Sequence, residues 1–196
     1  MSEAAALLLF PGAGSSSDHP SLVALEDALA PLPVARADFP YRKEGRRAPD
    51  RAPKLVATVR DEAAALAERT AADPSRIVLG GRSMGGRMCS LAVAGGSDAQ
   101  GLPTAEGLPA AGLVLISYPL HPPGKPDRLR IDHFPQVDCP CLFISGTRDP
   151  FGTPEELESH TAAIPAKVTH VWIEAGRHDL KNADDQIVDA VRTWLV

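Results

Sequence analysis

Short apolar runs separated by helical patterns constrain the fold of this chain more than any other feature. Six runs are continuously apolar rather than alternating, at positions 4–10, 34–37, 77–79, 112–117, 141–145 and 168–173. Continuous runs are typical of strands buried on both faces, as in a parallel sheet covered by helices. Helical spacing of apolar residues recurs between and after them, near 22–29, 55–69, 84–93, 155–164 and 187–195. The order predicts an α/β fold, with a doubly wound, mostly parallel sheet of about six strands in a three-layer sandwich.

The size and charge of the chain narrow the possible functions. With 196 residues, of which 44% are hydrophobic, the chain can form one compact domain over residues 1–196. The formal net charge of −5 gives no general attraction to nucleic acid or to an anionic membrane, so we expect neither as a partner. No run approaches the roughly 20 apolar residues that span a bilayer. Because residues 1–10 also lack the basic flank of a signal peptide, we expect a cytoplasmic protein. We expect it to be a monomer or a homodimer.

The cysteines point to neither a metal site nor a disulfide framework. Cys89, Cys139 and Cys141 form an odd set without the Cys-X-X-Cys spacing of a zinc site. They fit reduced thiols packed inside a cytoplasmic protein. The chemistry predicted below requires no metal and no cofactor.

A serine flanked by glycines two positions away on each side follows the third apolar run. The segment Gly81-Arg82-Ser83-Met84-Gly85 lies between the run 77–79 and a helical pattern that ends before Gly95 and Gly96. A nucleophilic serine at a sharp strand-to-helix turn has a strained backbone, and side chains two residues away on either side would collide. Glycine removes those collisions. The sequence therefore predicts Ser83 as a nucleophile.

Such a serine needs a base, and the base needs an orienting carboxylate. Asp149 follows the run 141–145, and His178 follows the run 168–173 and precedes the last helix. The order Ser83, Asp149, His178 is that of the α/β hydrolases. His121, in the long loop after another strand, is the alternative base. Asp179 competes with Asp149, but its place near the start of a helix fits a capping residue better.

Four separated motifs resemble those of the small α/β hydrolases without a lid that are related to Tex30 and the KANSL3-like proteins, and more distantly those of the dienelactone hydrolases. These motifs occupy positions 9–14, 80–87, 118–126 and 146–152, so the likeness extends over nearly the whole chain. The resemblance implies an α/β-hydrolase fold and a Ser83, Asp149, His178 triad, but no particular substrate. Dienelactone hydrolases typically have cysteine in place of this serine.

The same resemblance implies an oxyanion loop directly after the first strand. The segment 11–14 matches the family's His-Gly-Ala-Gly loop, except that Pro11 replaces the histidine. We expect the backbone N–H groups of Ala13 and Met84 to form the oxyanion hole, with Gly12 and Gly14 letting the backbone approach the substrate.

Arginines immediately precede all three triad positions: Arg82, Arg148 and Arg177. A guanidinium group suits a carboxylate or a phosphate, so an anionic substrate is one interpretation, with Arg82, Arg148 and His121 as candidate contacts. A basic cluster in the loop 39–53 is expected at the same face of the sheet: Arg42, Lys43, Arg46, Arg47 and Arg51. The alternative is that these arginines form salt bridges that brace the loops.

Together these patterns predict a serine hydrolase that cleaves an ester or a thioester by acyl transfer. The alternative is a hydrolase-fold interaction module without catalytic activity. The retention of Ser83, Asp149 and His178 favours the enzyme, because an interaction module has no need of all three.

Overall fold

The computed structural model describes residues 4–97 and 103–196, and its centre is a six-stranded parallel sheet. The strands among these residues are β1 (Ala6–Phe10), β2 (Val34–Arg36), β3 (Ile77–Arg82), β4 (Gly96–Ser97), β5 (Pro103–Ala105), β6 (Gly112–Ile116), β7 (Cys141–Gly146) and β8 (Val168–Ile173). The sheet order is β2-β1-β3-β6-β7-β8, and every neighbouring pair is parallel. The predicted sheet is confirmed. The short antiparallel pair of β4 and β5 was not predicted.

The five predicted helices are all present, and the described residues also form one short helix that the sequence patterns did not indicate. The helices are α1 (Pro20–Ala28), α2 (Pro40–Lys43), α3 (Ala52–Thr70), α4 (Met84–Ala94), α5 (Pro154–Thr161) and α6 (Asp184–Leu195). Proline occupies one of the first two positions in α1, α2, α3 and α5, where its missing N–H costs no helical hydrogen bond. α5 also begins with a capping box between Thr153 and Glu156. Within the described ranges, no helix could cross a membrane.

Alternate residues of the strands belong to two separate cores, as expected when both faces of a sheet are covered. Leu7 and Leu9 of β1 pack on the side of α1 and α6. Leu8 and Phe10 pack on the opposite side, with α3 and α4. The successive residues of β1 are buried on both faces because side chains alternate along a strand. The predicted three-layer arrangement is confirmed.

The strand order reverses direction at β1, which pairs with β2 on one side and β3 on the other. In open α/β sheets, ligands bind in the crevice at the carboxyl ends of the strands beside such a reversal. The loop 11–19 leaves β1 and the turn at Ser83 leaves β3, so both reach this crevice. The loops that follow β7 and β8 begin at the same edge of the sheet.

The two proline-rich stretches, 39–53 and 118–140, lie behind the loops that line the cavity. Tyr41 Oη donates a hydrogen bond of 2.9 Å to the carbonyl of Ala13. The His121 N–H donates to the carbonyl of Phe151 at 3.1 Å. These stretches therefore support the loops after β1 and β7 from outside the site.

Candidate active site

Ser83 lies at a strained turn between β3 and α4. Its φ of 47° and ψ of −114° place it in the left-handed half of backbone space, which side chains other than glycine rarely adopt. The Ser83 N–H donates to the carbonyl of Ile116 at 2.8 Å, and its carbonyl accepts from Arg87 at 3.0 Å. The turn is thus fixed on both sides. Strain of this kind is typical of functional positions.

The two flanking glycines are required by the close approach of β1. A Cβ atom on Gly85 would lie 2.6 Å from the carbonyl oxygen of Pro11 and still closer to that of Phe10. Gly81 has a φ of 152°, and a Cβ atom there would also collide with the Phe10 carbonyl. Any side chain at these positions would push the turn away from β1. The spacing of the motif therefore reflects contacts with a neighbouring strand.

Ser83, His178 and Asp149 are joined by hydrogen bonds. His178 Nε2 lies 2.9 Å from Ser83 Oγ, and His178 Nδ1 lies 2.8 Å from Asp149 Oδ2 and 3.0 Å from Oδ1. An ionised carboxylate can only accept hydrogen bonds, so Nδ1 carries the proton and Nε2 is left to accept from the Ser83 hydroxyl. Asp149 is 3% exposed, and the Phe151 N–H holds its Oδ1 at 2.9 Å.

The imidazole of His178 is held by two further residues. The ring of Phe151 stacks on it, with centroids 3.9 Å apart and planes inclined by 26°. Arg82 Nη2 donates to the backbone carbonyls of His178 and Asp179, at 3.2 and 2.8 Å. Phe151 covers one face of the ring, and Arg82 fixes the loop that carries His178. Sequence reasoning did not identify Phe151.

Arg82 is only 5% exposed and uses its guanidinium on protein acceptors. Besides the two carbonyls, it donates from Nη1 to Ser21 Oγ at 3.3 Å. Burial lowers the pKa of Arg82, and the negative charges of Asp184, Asp179 and Asp149 oppose that effect. The hydrogen bonds of Arg82 are therefore made within the protein, although part of its side chain also lines the cavity.

A cavity of about 580 Å³ opens beside the Ser83 hydroxyl. Its wall consists of residues from the loops after β1, β3, β7 and β8: Gly12, Ala13, Gly14, Ser15, His19, Arg82, Ser83, Pro150, Phe151, Arg177, His178 and Asp179. The predicted contacts Gly12, Ala13 and Gly14 are among them. Met84 begins α4 directly after Ser83. Within the described ranges, no hydrogen bond uses the backbone N–H of Ala13 or Met84 inside the protein.

Two predicted substrate contacts are not brought to this cavity. His121 is 6% exposed, and its ring nitrogens lie 2.9 Å from the Pro122 carbonyl and 3.4 Å from Glu156 Oε2. Arg148 is exposed and does not line the cavity wall. The loop after β6 places the His121 ring against Glu156 of α5, and the ring does not line the cavity.

A larger hollow of about 880 Å³ lies between β7, β8 and α6. Trp194 and Val171 contribute to its wall, but none of the predicted site residues does. Within the part of the chain that the structure describes, no group of three or more His, Cys, Asp or Glu side chains is placed to hold a metal ion. The predicted chemistry is thus concentrated in the smaller cavity.

Comparison with known proteins identifies the family and supports the fold. Residues 3–192 match the family described as "Alpha/beta hydrolase domain". Est1E from Butyrivibrio proteoclasticus has a similar structure, with a TM-score of 0.72 and 16% identity, over 98% of this chain and 88% of its own. The esterase Est2 from the Planctomycetes species Thermogutta terrifontis gives 0.70 and 17%, over 98% and 83%.

A dienelactone hydrolase from Anabaena variabilis is also similar, with a TM-score of 0.66 and 17% identity, over 98% of this chain and 86% of its own. At such identities the likeness shows the fold alone. The narrower resemblance to Tex30 and the KANSL3-like proteins stays a prediction. Because the family match covers nearly the whole sequence, the chain belongs to the alpha/beta hydrolase domain family.

Proposed function

We propose that this protein is a serine hydrolase that cleaves a small ester or thioester by acyl transfer. The observation that carries the proposal is the unbroken series of hydrogen bonds from Ser83 Oγ through His178 to the buried carboxylate of Asp149, at 2.9 and 2.8 Å. Ser83 and His178 both line an open cavity, where a substrate can approach the hydroxyl.

In the first half of the reaction, Ser83 Oγ attacks the acyl carbon while His178 Nε2 takes its proton. The electron pair of the carbonyl moves onto its oxygen, which the N–H groups of Ala13 and Met84 stabilise. The carbonyl then re-forms, the bond to the alcohol or thiol breaks, and His178 returns the proton to that leaving group. Asp149 stays ionised and stabilises the imidazolium.

In the second half, a water molecule replaces the leaving group. His178 takes a proton from the water, whose oxygen attacks the acyl carbon and forms a second tetrahedral intermediate at the same oxyanion hole. When that intermediate collapses, the Ser83 ester bond breaks and the proton on His178 returns to Ser83 Oγ. A free acid leaves, and no cofactor takes part in the cycle.

We also propose that the substrate carries an anionic group. Arg177 is exposed and contributes to the cavity wall, whereas the basic cluster in the loop 39–53 is partly neutralised. Arg46 pairs with Glu44 and Asp50 there. Arg177→Glu should lower kcat/KM for p-nitrophenyl hemisuccinate more than for p-nitrophenyl butyrate. Arg148→Glu, an exposed arginine outside the wall, is the matched control, and equal losses on both esters would refute the anionic group.

Labelling with a fluorophosphonate tests the serine without knowledge of the substrate. The wild type should be labelled, and Ser83→Ala and His178→Ala should not. Ser90→Ala is the matched control, because Ser90 Oγ also lies near a histidine, 2.8 Å from His133 Nε2, but is buried away from the cavity. Undiminished labelling of folded Ser83→Ala would refute the assignment. No labelling of folded wild type would favour an interaction module instead.

A further inference from the structure

His19 is a second histidine in the wall of the cavity that contains Ser83 and His178. It immediately precedes α1, and its Nδ1 caps the helix by accepting a hydrogen bond from the Ser21 N–H at 3.3 Å. Within the described ranges its Nε2 has no hydrogen-bond partner. Nδ1 is therefore committed to the fold, whereas Nε2 is left to bind a ligand.

The partners of His19 determine where its proton lies. A backbone N–H can only donate, so the Nδ1 that accepts from Ser21 holds a lone pair, and the neutral ring carries its proton on Nε2. The Ser21 hydroxyl gives the same result. Arg82 Nη1 donates to Ser21 Oγ at 3.3 Å, which leaves the hydroxyl hydrogen free to point at Nδ1, 3.0 Å away.

The surroundings of the His19 ring favour its uncharged form. Burial, assisted by the positive charge of Arg82, lowers the pKa of His19 from its ordinary value, and the carboxylate of Asp184 opposes the shift. His19 thus offers a single N–H donor of fixed direction rather than a cation. Arg177, which contributes to the same wall, offers the positive charge.

We propose that the Nε2–H of His19 binds an oxygen acceptor of the substrate, at a position other than the carbonyl under attack. The substrate class is an ester or thioester with an ether, hydroxyl or carbonyl oxygen on the group that reaches His19. This inference rests on the proposed function, since it concerns the substrate of the same cavity. His19 selects among substrates, whereas Ser83, His178 and Asp149 carry out the reaction.

Two pairs of esters of matched length test this selection. In the acyl pair, p-nitrophenyl methoxyacetate differs from p-nitrophenyl butyrate by one oxygen in place of a CH₂ group. In the alcohol pair, 2-methoxyethyl acetate differs from butyl acetate in the same way. The ratio of kcat/KM within each pair is compared between wild type and variants, so that the intrinsic reactivity of the esters cancels.

His19→Asn is the informative variant, because asparagine is also a good helix cap but lacks the ring N–H. One neutral hydrogen bond is worth about 3- to 10-fold in such a ratio. We therefore expect the preference for the ether oxygen to fall by about that factor in one of the two pairs. His160→Asn, which changes a histidine of α5 outside the cavity wall, should leave both ratios unchanged.

The outcomes separate this inference from the proposed function. If His19→Asn folds, reacts with fluorophosphonate like the wild type and keeps both ratios, the role of His19 is refuted while the nucleophile stands. If folded wild type is not labelled at Ser83, the proposed function fails and this inference fails with it. Nitrogen-15 spectra of the imidazoles provide a second test: a proton on Nδ1 of His19 would overturn the proposal.

Discussion

Replacing Arg82 by methionine should slow the reaction by misplacing His178, although Arg82 takes no part in the chemistry. The guanidinium ties the loop of residues 174–183, which carries His178, to the end of β3. It donates to the carbonyls of His178 and Asp179 at 3.2 and 2.8 Å, and to Ser21 Oγ at 3.3 Å. Methionine fills a similar volume but makes none of these bonds.

The expected losses differ between stability and rate. Each hydrogen bond from a charged donor contributes about 1.5–3 kcal/mol, but burying the guanidinium costs several kcal/mol in return. We therefore expect Arg82→Met to lower the free energy of unfolding by about 2–4 kcal/mol. A displacement of a catalytic group by about 1 Å costs on the order of 10²-fold in rate.

The loss of rate can be measured separately from the loss of stability by following fluorophosphonate labelling. Each variant is labelled at a temperature well below its unfolding midpoint. The matched control is Arg148→Met, which also changes the arginine directly before a triad position but alters an exposed side chain. We expect the labelling rate of Arg82→Met to fall by about 10- to 100-fold and that of the control to stay unchanged. A folded Arg82→Met variant that reacts at the wild-type rate would refute the positioning role.

Three further predictions concern single residues. Asp149→Asn should keep the fold but lower kcat by about 10⁴-fold, because the amide favours the wrong tautomer of His178; a loss below tenfold in steady-state hydrolysis would contradict the triad. Gly85→Ala should lower the free energy of unfolding by about 1–3 kcal/mol in urea titration and abolish labelling, since its Cβ would lie 2.6 Å from the Pro11 carbonyl; normal labelling would contradict the steric explanation. Burial and the charge of Arg87 lower the pKa of His133 to about 4, so between that value and about 6.5 the unfolded chain binds a proton that the folded chain does not. Lowering the pH from 7.5 to 5 should therefore reduce the free energy of unfolding by about 2 kcal/mol through His133. Urea unfolding of His133→Gln should show a pH dependence that is smaller by this amount; an unchanged dependence would exclude His133 as its source.

The positions of Ser83, Asp149 and His178 could be predicted because each follows an apolar run directly. The carboxyl ends of parallel strands meet at one edge of the sheet, so three residues far apart in sequence are brought together once the strands are identified. The end of β3 was predicted less accurately. The prediction stopped at Leu79, but Gly80 and Gly81 pair with β1 and belong to the strand.

The direction of the Arg82 side chain could have been predicted from the alternation of side chains along β3. Val78 faces the core with α1 and α6, and side chains two and four positions later face the same side. Arg82 therefore points towards Ser21 and α1. Arg82 was predicted near the substrate from its position beside Ser83, without use of the alternation, which also predicts the contact with Ser21.

His19 and Phe151 were missed for a different reason. His19 functions as a helix cap, a position that serine, threonine, aspartate and asparagine usually fill, so its role depends on the fold of the loop after β1. Proline at position 20 was the available signal, since it marked the start of α1 and hence the residue before it. The stacking of Phe151 on His178 joins two loops and leaves no local pattern in the sequence.

The most direct test of Ser83 as the nucleophile is to locate the acyl group during turnover. The protein is mixed with p-nitrophenyl acetate, quenched within the first turnover, and digested for peptide mass spectrometry. We expect a burst of p-nitrophenolate and an acetyl group on Ser83, both absent from Ser83→Ala. An acetyl group on another residue, or equal hydrolysis by folded Ser83→Ala, would contradict acyl transfer through Ser83.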